Sequence, residues 1–420
     1  MFVYQAPRGT QDVLPEEAAY WTYVEQTARA LAAVYGYGEI RTPTFEDTGL
    51  FVRGVGGGTD IVEKEMYSFR DKSGGDLTLR PEGTAPIIRA YLEHGMASRP
   101  QPVRLHSFVN CFRYDRPQRG RYREFHQWDC EAIGELDPLV DAELITLLWR
   151  FYERLGLRGL TLQLNSIGDA RCRPAYLEAL RAYYQERVGE LCPDCRRRLE
   201  TNPLRLLDCK NPTCQPAIAG APRLLDWLCD ECATHFAALR RYLDEVGIPQ
   251  ELNPRLVRGL DYYTKTVFEV WPPEVGAQAA LGGGGRYDGL VEALGGRPTP
   301  AVGFATGIER IIMNLKQQGV PVPAAPAPRV YLAHLGEAAG REAVRLADAL
   351  RQQGVPTVLA VGSRQLKAQL RQANSLGVAW VVILGEEELA AGEATVRDMA
   401  SGTQVRVPLG TVVARLVAEG

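Results

Sequence analysis

Arginines and acids lie close together in the stretch 108–134, and their spacing can build a pocket for a small polar ligand. The loop after Arg113 carries three more arginines, whose planar guanidinium groups match phosphate or carboxylate oxygens. On the strand that follows, Gln127, Asp129 and Glu131 alternate and therefore share one face. The residue types alone leave two interpretations open. One is a phosphate-binding loop beside a polar ligand site, and the other is a solvated arginine hairpin with a paired carboxylate face.

Three further motifs hold residue types that can bind a ligand. LRPEGT ends a short strand, where a carboxylate can bind an ammonium group, although a lone Glu at a turn is more often solvated. RGLDYYT lies within a predicted strand, 256–271, and an arginine buried there needs a partner. LGGGGRYDG has four consecutive glycines, which let a ligand lie against the backbone. It lacks the acid that would follow in a dinucleotide-binding unit.

The central stretch resembles the second signature motif of class II aminoacyl-tRNA synthetases, in the form found in the histidyl-tRNA synthetase family. FRYD, a loop and RYREFHQWDCE carry this resemblance. It implies that Arg113 contacts the α-phosphate of ATP and that Phe125 stacks on adenine. Asp115 stands where the family usually has Glu, the acid that reads the adenine amino group. AVGFATGIERI resembles the third class motif, which implies that Arg310 contacts the γ-phosphate.

RGLDYYT and GGGGRYDGL resemble the two histidine-specific signatures of the family, and RPEGT resembles its amino-acid-binding motif. An imidazole has one donor and one acceptor nitrogen, which a buried Glu131 and the Tyr263 hydroxyl can satisfy. Analogues that lack either nitrogen would leave a pocket group unpaired. The resemblance assigns histidine contacts to Glu82, Gly83, Thr84, Gln127, Glu131, Arg258, Tyr262, Tyr263 and Tyr287. It assigns ATP contacts to Arg113, Asp115, Arg121, Phe125 and Arg310, with Arg113 and Arg258 as the catalytic pair.

Seven of the nine cysteines lie between about residues 170 and 250, and six of these seven are closely spaced. They form three pairs, which are Cys192 with Cys195, Cys209 with Cys214, and Cys229 with Cys232. Paired cysteines at this spacing are typical of zinc sites, but four ligands complete a tetrahedral site and two cysteines remain. Disulfides are unusual in a mesophile cytosol and occur in thermophiles. The resemblance implies no general metal requirement, so no metal ligand is assigned. Zinc, disulfides and free thiols all stay open.

The composition is that of a globular protein with two or three domains. The chain has 420 residues, of which 45% are hydrophobic and 24% are charged, in the usual range for such proteins. The net charge of −3 gives no general attraction for polyanions, so any nucleic-acid binding must use local patches. No apolar run reaches membrane-spanning length and no signal pattern opens the chain. We therefore expect a cytoplasmic protein without a membrane contact.

The resemblance spans essentially the whole chain and implies an α+β fold. We expect a class II synthetase antiparallel sheet flanked by helices in a catalytic domain, 1–325. A helical insertion, 170–250, interrupts this domain and contacts the acceptor arm of tRNA in the family. A proline–alanine linker, 319–328, precedes alternating strands and helices, which predict a parallel sheet. This part, 329–420, resembles the α/β anticodon-binding domain of several class II synthetases.

The resemblance implies a histidine–tRNA ligase that works as a homodimer. Such an enzyme joins L-histidine to ATP, with Mg²⁺, to give histidyl-adenylate and pyrophosphate. It then transfers histidine to the 3′ end of tRNA-His. The alternative is a non-catalytic histidine-sensing paralogue, which lacks the ATP-contacting arginines and usually the anticodon domain. Arg113, Arg258 and Arg310 are all present here, which favours the enzyme.

Overall fold

The computed structural model contains two compact units, Met1–Val322 and Pro323–Gly420, and each is described by itself. The predicted domain boundary at residue 325 lies outside the described residues. Among the described helices, none is both long enough and apolar enough to cross a membrane. The described residues are 4–57, 59–273, 280–324, 327–362 and 365–419.

The first unit combines strands and helices in alternating groups. Its strands are β1 (Gly38–Glu39), β2 (Phe45–Asp47), β3 (Tyr67–Arg70), β4 (Asp76–Leu79), β5 (Val103–Phe112), β6 (Glu124–Ile133), β7 (Thr161–Ser166), β8 (Gln250–Leu252), β9 (Thr264–Trp271), β10 (Gly282–Arg286) and β11 (Ala301–Gly307). Its α-helices are α1 (Pro15–Val34), α2 (Thr48–Val55), α3 (Thr84–Glu93), α4 (Pro138–Arg154), α5 (Arg173–Gln185), α6 (Pro193–Thr201), α7 (Gln215–Ala219), α8 (Asp230–Glu245), α9 (Leu290–Ala293) and α10 (Ile308–Gln317).

The main sheet of the described residues has eight strands in the order β1-β5-β6-β11-β10-β9-β7-β8. Its six central strands pair antiparallel, and only the edge strands β1 and β8 pair parallel to their neighbours. The predicted mainly antiparallel sheet is confirmed. The predicted central hairpin is confirmed too, although β5 begins earlier than the expected Phe108. The predicted strand 256–271 is shorter, because β9 begins only at Thr264.

The two faces of β6 separate an apolar core from a polar pocket. Trp128 and Cys130 are fully buried and belong to the same core as the apolar side of α4. The indole of Trp128 meets Phe151 of α4 edge-on at 4.6 Å between ring centroids. Asp137 caps the start of this helix, since its side chain accepts a hydrogen bond from Leu139 N at 2.9 Å, as Asp does at many helix N-termini. The helix therefore covers one face and leaves the other to a ligand.

The stretch between β7 and β8 is mainly helical, as predicted for the insertion. Short 3₁₀ turns separate α5, α6, α7 and α8. Tyr176 and Tyr184 of α5 are buried in a local core with Cys195 and Cys214. The same core includes Tyr263, which directly precedes β9. The insertion is therefore packed onto the strand that follows the RGLDYYT motif.

The second unit is an α/β sandwich, as predicted from its alternating pattern. Its strands are β12 (Val330–His334), β13 (Thr357–Leu359), β14 (Trp380–Leu384), β15 (Glu393–Asp398) and β16 (Gln404–Pro408). Its helices are α11 (Glu337–Gln352), α12 (Leu366–Ser375), α13 (Glu386–Ala391) and α14 (Leu409–Ala418). The sheet order is β13-β12-β14-β15-β16. The first three strands are parallel and the last two add an antiparallel hairpin. Two apolar cores lie on opposite sheet faces.

Candidate active site

One cavity of about 450 Å³ lies over the polar face of the main sheet. This volume falls in the usual range for small-molecule sites. Of the residues predicted from the sequence, only Glu131 is not part of its lining. The predicted residues that line it are Glu82, Gly83, Thr84, Arg113, Asp115, Arg121, Phe125, Gln127, Arg258, Tyr262, Tyr263, Tyr287 and Arg310.

Two buried carboxylates form an acidic end of the cavity. Glu82 precedes α3, and its oxygens accept hydrogen bonds from Thr84 N at 2.8 Å and Ala85 N at 2.7 Å. Asp129 is fully buried, and neither of its oxygens has a hydrogen-bond partner among the described residues. Burial raises the pKa of Asp129 well above its usual value, and the charge of Glu82 raises it further. A buried carboxylate without a partner is costly, so this end of the cavity favours a cationic ligand group.

Sequence reasoning placed Asp129 on the polar face but did not select it as a binding residue. The signal was present, because Asp129 alternates with the two selected residues of β6. Its side chain lies against Gly83. A Cβ atom added at that glycine would come well under 3.0 Å from an Asp129 oxygen. Any larger residue at position 83 would therefore displace the carboxylate.

Replacing Asp129 with asparagine is expected to make stability less sensitive to pH. The raised pKa means that the folded protein holds a proton which the unfolded chain loses above a pKa of about 3.9. Wild-type stability should therefore fall, relative to the variant, by at most about 1.4 kcal/mol per pH unit until pH passes the folded pKa. Urea unfolding at pH 5 and pH 8 measures this difference. Asp12→Asn, at an exposed position, is the control and should show no such trend.

Glu131 lies behind the cavity wall and is fully buried. It accepts hydrogen bonds from two groups that line the cavity, the Thr84 hydroxyl at 2.7 Å and the Tyr287 hydroxyl. Burial raises the pKa of Glu131 well above its usual value, although these two hydrogen bonds oppose the rise. The ring of Tyr262 lies 5.5 Å from that of Tyr287 and 4.7 Å from that of Tyr263. Glu131 thus holds hydroxyl groups at an aromatic wall.

Arginines form a cationic end of the same cavity. Arg113 donates to Pro81 O at 2.8 Å, and its guanidinium lies 5.2 Å from the centre of the Phe125 ring. Arg310 donates to Gly120 O at 3.0 Å and to Ala280 O at 2.8 Å. Burial lowers the pKa of Arg310, and the like charges of Arg121 and Arg113 lower it further. An anion bound among these groups would relieve their mutual repulsion.

Two of the cationic groups are paired with acids. Arg121 forms an ion pair with Asp115 at 2.9 Å. Arg258 forms one with Glu269, which also accepts a hydrogen bond from Trp271 at 2.8 Å. Sequence reasoning missed Glu269, although a single acid between the apolar neighbours of β9 was a usable signal. Its carboxylate orients the arginine toward the cavity that both residues line.

The glycines of β10 are needed mainly because the neighbouring strands leave no space for a side chain. A Cβ atom at Gly284 would come well under 3.0 Å from the backbone of Gly303, and one at Gly285 from Thr266 O. Gly282 and Gly283 also line the cavity. The expected approach of a ligand to bare backbone is therefore possible at one end of the strand only.

The chain is similar to known proteins in sequence and in fold. The family profile described as histidyl-tRNA synthetase matches residues 9–188 and 214–311, and the anticodon binding domain profile matches residues 329–419. A histidine–tRNA ligase from Dehalococcoides mccartyi strain 195 is 56% identical over 414 residues, which are 99% of each chain. A histidine–tRNA ligase from Desulforudis audaxviator is 55% identical, and the match covers 98% of this chain and 97% of the chain of that ligase. The crystal structure of apo histidyl-tRNA synthetase from S. aureus has a TM-score of 0.83 and 38% identity, covering 99% of this chain and 100% of its own.

Proposed function

The chain belongs to the histidyl-tRNA synthetase family and is an aminoacyl-tRNA ligase, and from this premise we propose how its cavity activates histidine. One observation carries the proposal. A single cavity joins buried carboxylates, an aromatic wall with hydroxyl groups, and a cluster of arginines. These three parts match the ammonium group, the imidazole and the phosphates of the two substrates. No observation favours the alternative of a non-catalytic histidine sensor.

Histidine binds with its ammonium group at Glu82 and Asp129 and its imidazole at the tyrosine wall. The unpartnered oxygens of Asp129 support this direction, because an ammonium group offers three donors. Gln127 and Thr84 line the same end. The contact of Glu131 with the imidazole stays a prediction, since its oxygens already accept from Thr84 and Tyr287. Its hydrogen bonds fix where those two hydroxyl groups point.

ATP binds at the arginine end, with adenine on Phe125 and the γ-phosphate at Arg310. Asp115 and Arg121 form a pair at 2.9 Å that fixes the loop beside the adenine site. Bound phosphates and one or two carboxylates of the cavity would hold a magnesium ion, because Mg²⁺ prefers oxygen ligands. Glu269 offers a carboxylate in the cavity lining and would hold the ion. Bound there, magnesium would neutralise phosphate charge.

The first step is attack of a histidine carboxylate oxygen on the α-phosphorus of ATP. A bond forms between them, the bond from the α-phosphorus to the bridging oxygen breaks, and pyrophosphate leaves with the electron pair. The carboxylate is already ionised, so no general base is needed. Arg113 and Arg258 place positive charge at the α-phosphate, and catalysis rests on positioning and charge stabilisation. The histidyl group then passes to the terminal adenosine of tRNA-His with release of AMP.

The remaining parts of the assignment concern domains and partners. We assign catalysis to residues 1–325, contact with the tRNA acceptor arm to the insertion 170–250, and anticodon binding to residues 329–420.

The working form is a homodimer in the cytoplasm. Phe45 and Phe69 support an interface, because these residues are 50% and 44% exposed and their rings lie 6.3 Å apart on the two strands that flank β4. Sedimentation at a mass of twice 46.4 kDa is the expected result.

Exchange of labelled pyrophosphate into ATP tests the proposed reaction. We expect exchange with histidine and none of comparable rate with the other amino acids. Discrimination of about 10⁴-fold is expected against amino acids that cannot pair with the polar groups of the pocket. Histidine binding without exchange would instead indicate the sensor. Exchange with a different amino acid would show that the tyrosine wall does not select imidazole.

A further inference from the structure

Four cysteines of the insertion converge on one point. The sulfur atoms of Cys192, Cys195, Cys209 and Cys214 all lie within 4.8 Å of one another, and those of Cys192 and Cys209 are 3.9 Å apart. A tetrahedron with zinc–sulfur bonds of about 2.3 Å has sulfur–sulfur edges of about 3.8 Å. A disulfide instead needs about 2.05 Å, and the nine cysteines, all in described parts of the chain, are free.

Backbone amides around this cluster are aimed at the sulfur atoms. Cys192 N donates to the sulfur of Cys214 at 3.2 Å, and Asn211 N donates to that of Cys209 at 3.4 Å. Such donors stabilise thiolates that bind a metal. The side chains of Cys195 and Cys214 are fully buried in the insertion core. We propose that these four thiolates bind one structural Zn²⁺.

The third cysteine pair has its own partners, which the sequence pairs did not reveal. Cys229 and Cys232 meet Cys172 and Asp169, and their four ligand atoms lie within 4.8 Å of one another. Cys229 N donates to the sulfur of Cys172 at 3.1 Å. Arg171 holds Asp169 by an ion pair at 3.0 Å, which orients the carboxylate as outer groups orient metal ligands. Three thiolates and one carboxylate supply the four ligands of a tetrahedral site, and zinc binds both kinds of group, so we infer a second Zn²⁺ here.

The first cluster fixes a segment that reaches the histidine end of the cavity. Between Cys195 and Cys209, Arg198 forms an ion pair with Asp60 at 3.0 Å. In the same segment Arg205 donates to Gly259 O at 3.1 Å. Asp60, Arg205 and Gly259 line the cavity. This segment lies within residues 189–213, which the family profile does not match, whereas Cys214 is the first residue of the second matched range.

The second cluster is tied to β9 and to the tyrosine that precedes this strand. Glu231, between its last two cysteines, pairs with Lys265 at 3.0 Å. Arg173, next to Cys172, donates to Tyr263 O at 2.7 Å. Loss of either metal should therefore loosen the histidine end more than the arginine end. This kinetic consequence rests on the proposed function, whereas the metal content does not.

Zinc analysis of the full chain, purified without a metal-affinity tag, tests both sites. We expect two zinc ions per chain, one fewer in Cys195→Ser, one fewer in Cys232→Ser, and two in the control Cys130→Ala, which removes a buried thiol of β6. Zero zinc would overturn both sites. One zinc would overturn the site whose variant leaves the content unchanged.

A second measurement on the wild-type chain covers the case in which a variant does not fold. Titration with a mercurial should release two zinc ions into a chromogenic dye, and Co²⁺ replacement should give intense thiolate-to-cobalt bands. Intact-mass analysis that shows disulfides, or nine freely reactive thiols without zinc release, would overturn the proposal. In pyrophosphate exchange, zinc loss should raise KM for histidine several-fold more than KM for ATP. Equal changes in both would overturn the coupling to the cavity and leave the metal assignment to the zinc analysis.

Discussion

Replacing Arg258 with alanine is expected to lower histidine-dependent pyrophosphate exchange by about 10²–10³-fold, the usual cost of losing one preorganised donor to transition-state charge. Arg258 lines the cavity and is held by Glu269, so its guanidinium is oriented before the substrates bind. The variant also leaves the Glu269 carboxylate without this cation, which adds repulsion toward phosphate. The loss should appear mainly in kcat, with weaker binding of histidine as a smaller effect.

Two control variants separate position from charge. Arg255→Ala removes an arginine from an exposed position of the same segment and should exchange pyrophosphate normally. Arg258→Lys keeps the charge and loses the planar fork, so only a partial recovery is expected. Near-normal exchange by Arg258→Ala, with histidine and ATP saturating, would contradict the role of this residue at the α-phosphate.

Replacing Gly303 with alanine is expected to abolish measurable histidine binding. A Cβ atom there would come well under 3.0 Å from the Glu131 carboxylate and 2.9 Å from Cys130 O. Glu131 is fully buried and cannot move aside without releasing the hydroxyl groups of Thr84 and Tyr287. Overpacking of this kind costs about 1–3 kcal/mol of stability. We therefore expect the free energy of unfolding to fall by this amount while histidine binding is lost.

Calorimetric titration with histidine and thermal unfolding measure these two effects. Gly289→Ala is the matched control, because nothing lies within 4 Å of the added Cβ atom. The double variant with Glu131→Ala creates room for the new methyl group. It should recover stability and still bind histidine weakly. Unchanged affinity in Gly303→Ala would show that the arrangement around Glu131 does not determine histidine recognition.

The sequence predicted the pocket well wherever a periodic pattern carried the information. Alternation along β6 placed Gln127 and Trp128 on opposite faces, and the structure confirms that separation, since Trp128 lies in the apolar core and Gln127 lines the cavity. The alternation of strands and helices after residue 329 predicted the second sheet. Most selected residues line one cavity, since the motifs that contain them end at neighbouring strands.

Features that depend on distant contacts escaped prediction. Glu269 is one acid in a mainly apolar strand, and its ion pair with Arg258, 11 residues earlier, explains its place there. Cys172 lies 57 residues before Cys229, too far for a spacing rule to connect them. The predicted strand 256–271 is shorter because its first part turns to contact the insertion, as in the bond from Arg205 to Gly259 O. Local strand propensity cannot anticipate such packing.

The strand order of the main sheet leaves one edge of β6 unpaired for part of the synthesis of the chain. β6 ends at Ile133 and its second partner, β11, begins at Ala301, so about 170 residues must be made before that edge is covered. At roughly 5–20 residues per second the delay is about ten to thirty seconds. During it the pocket floor is an unpaired strand edge, a known hazard for aggregation. The insertion emerges within this interval, before β11 can pair with β6.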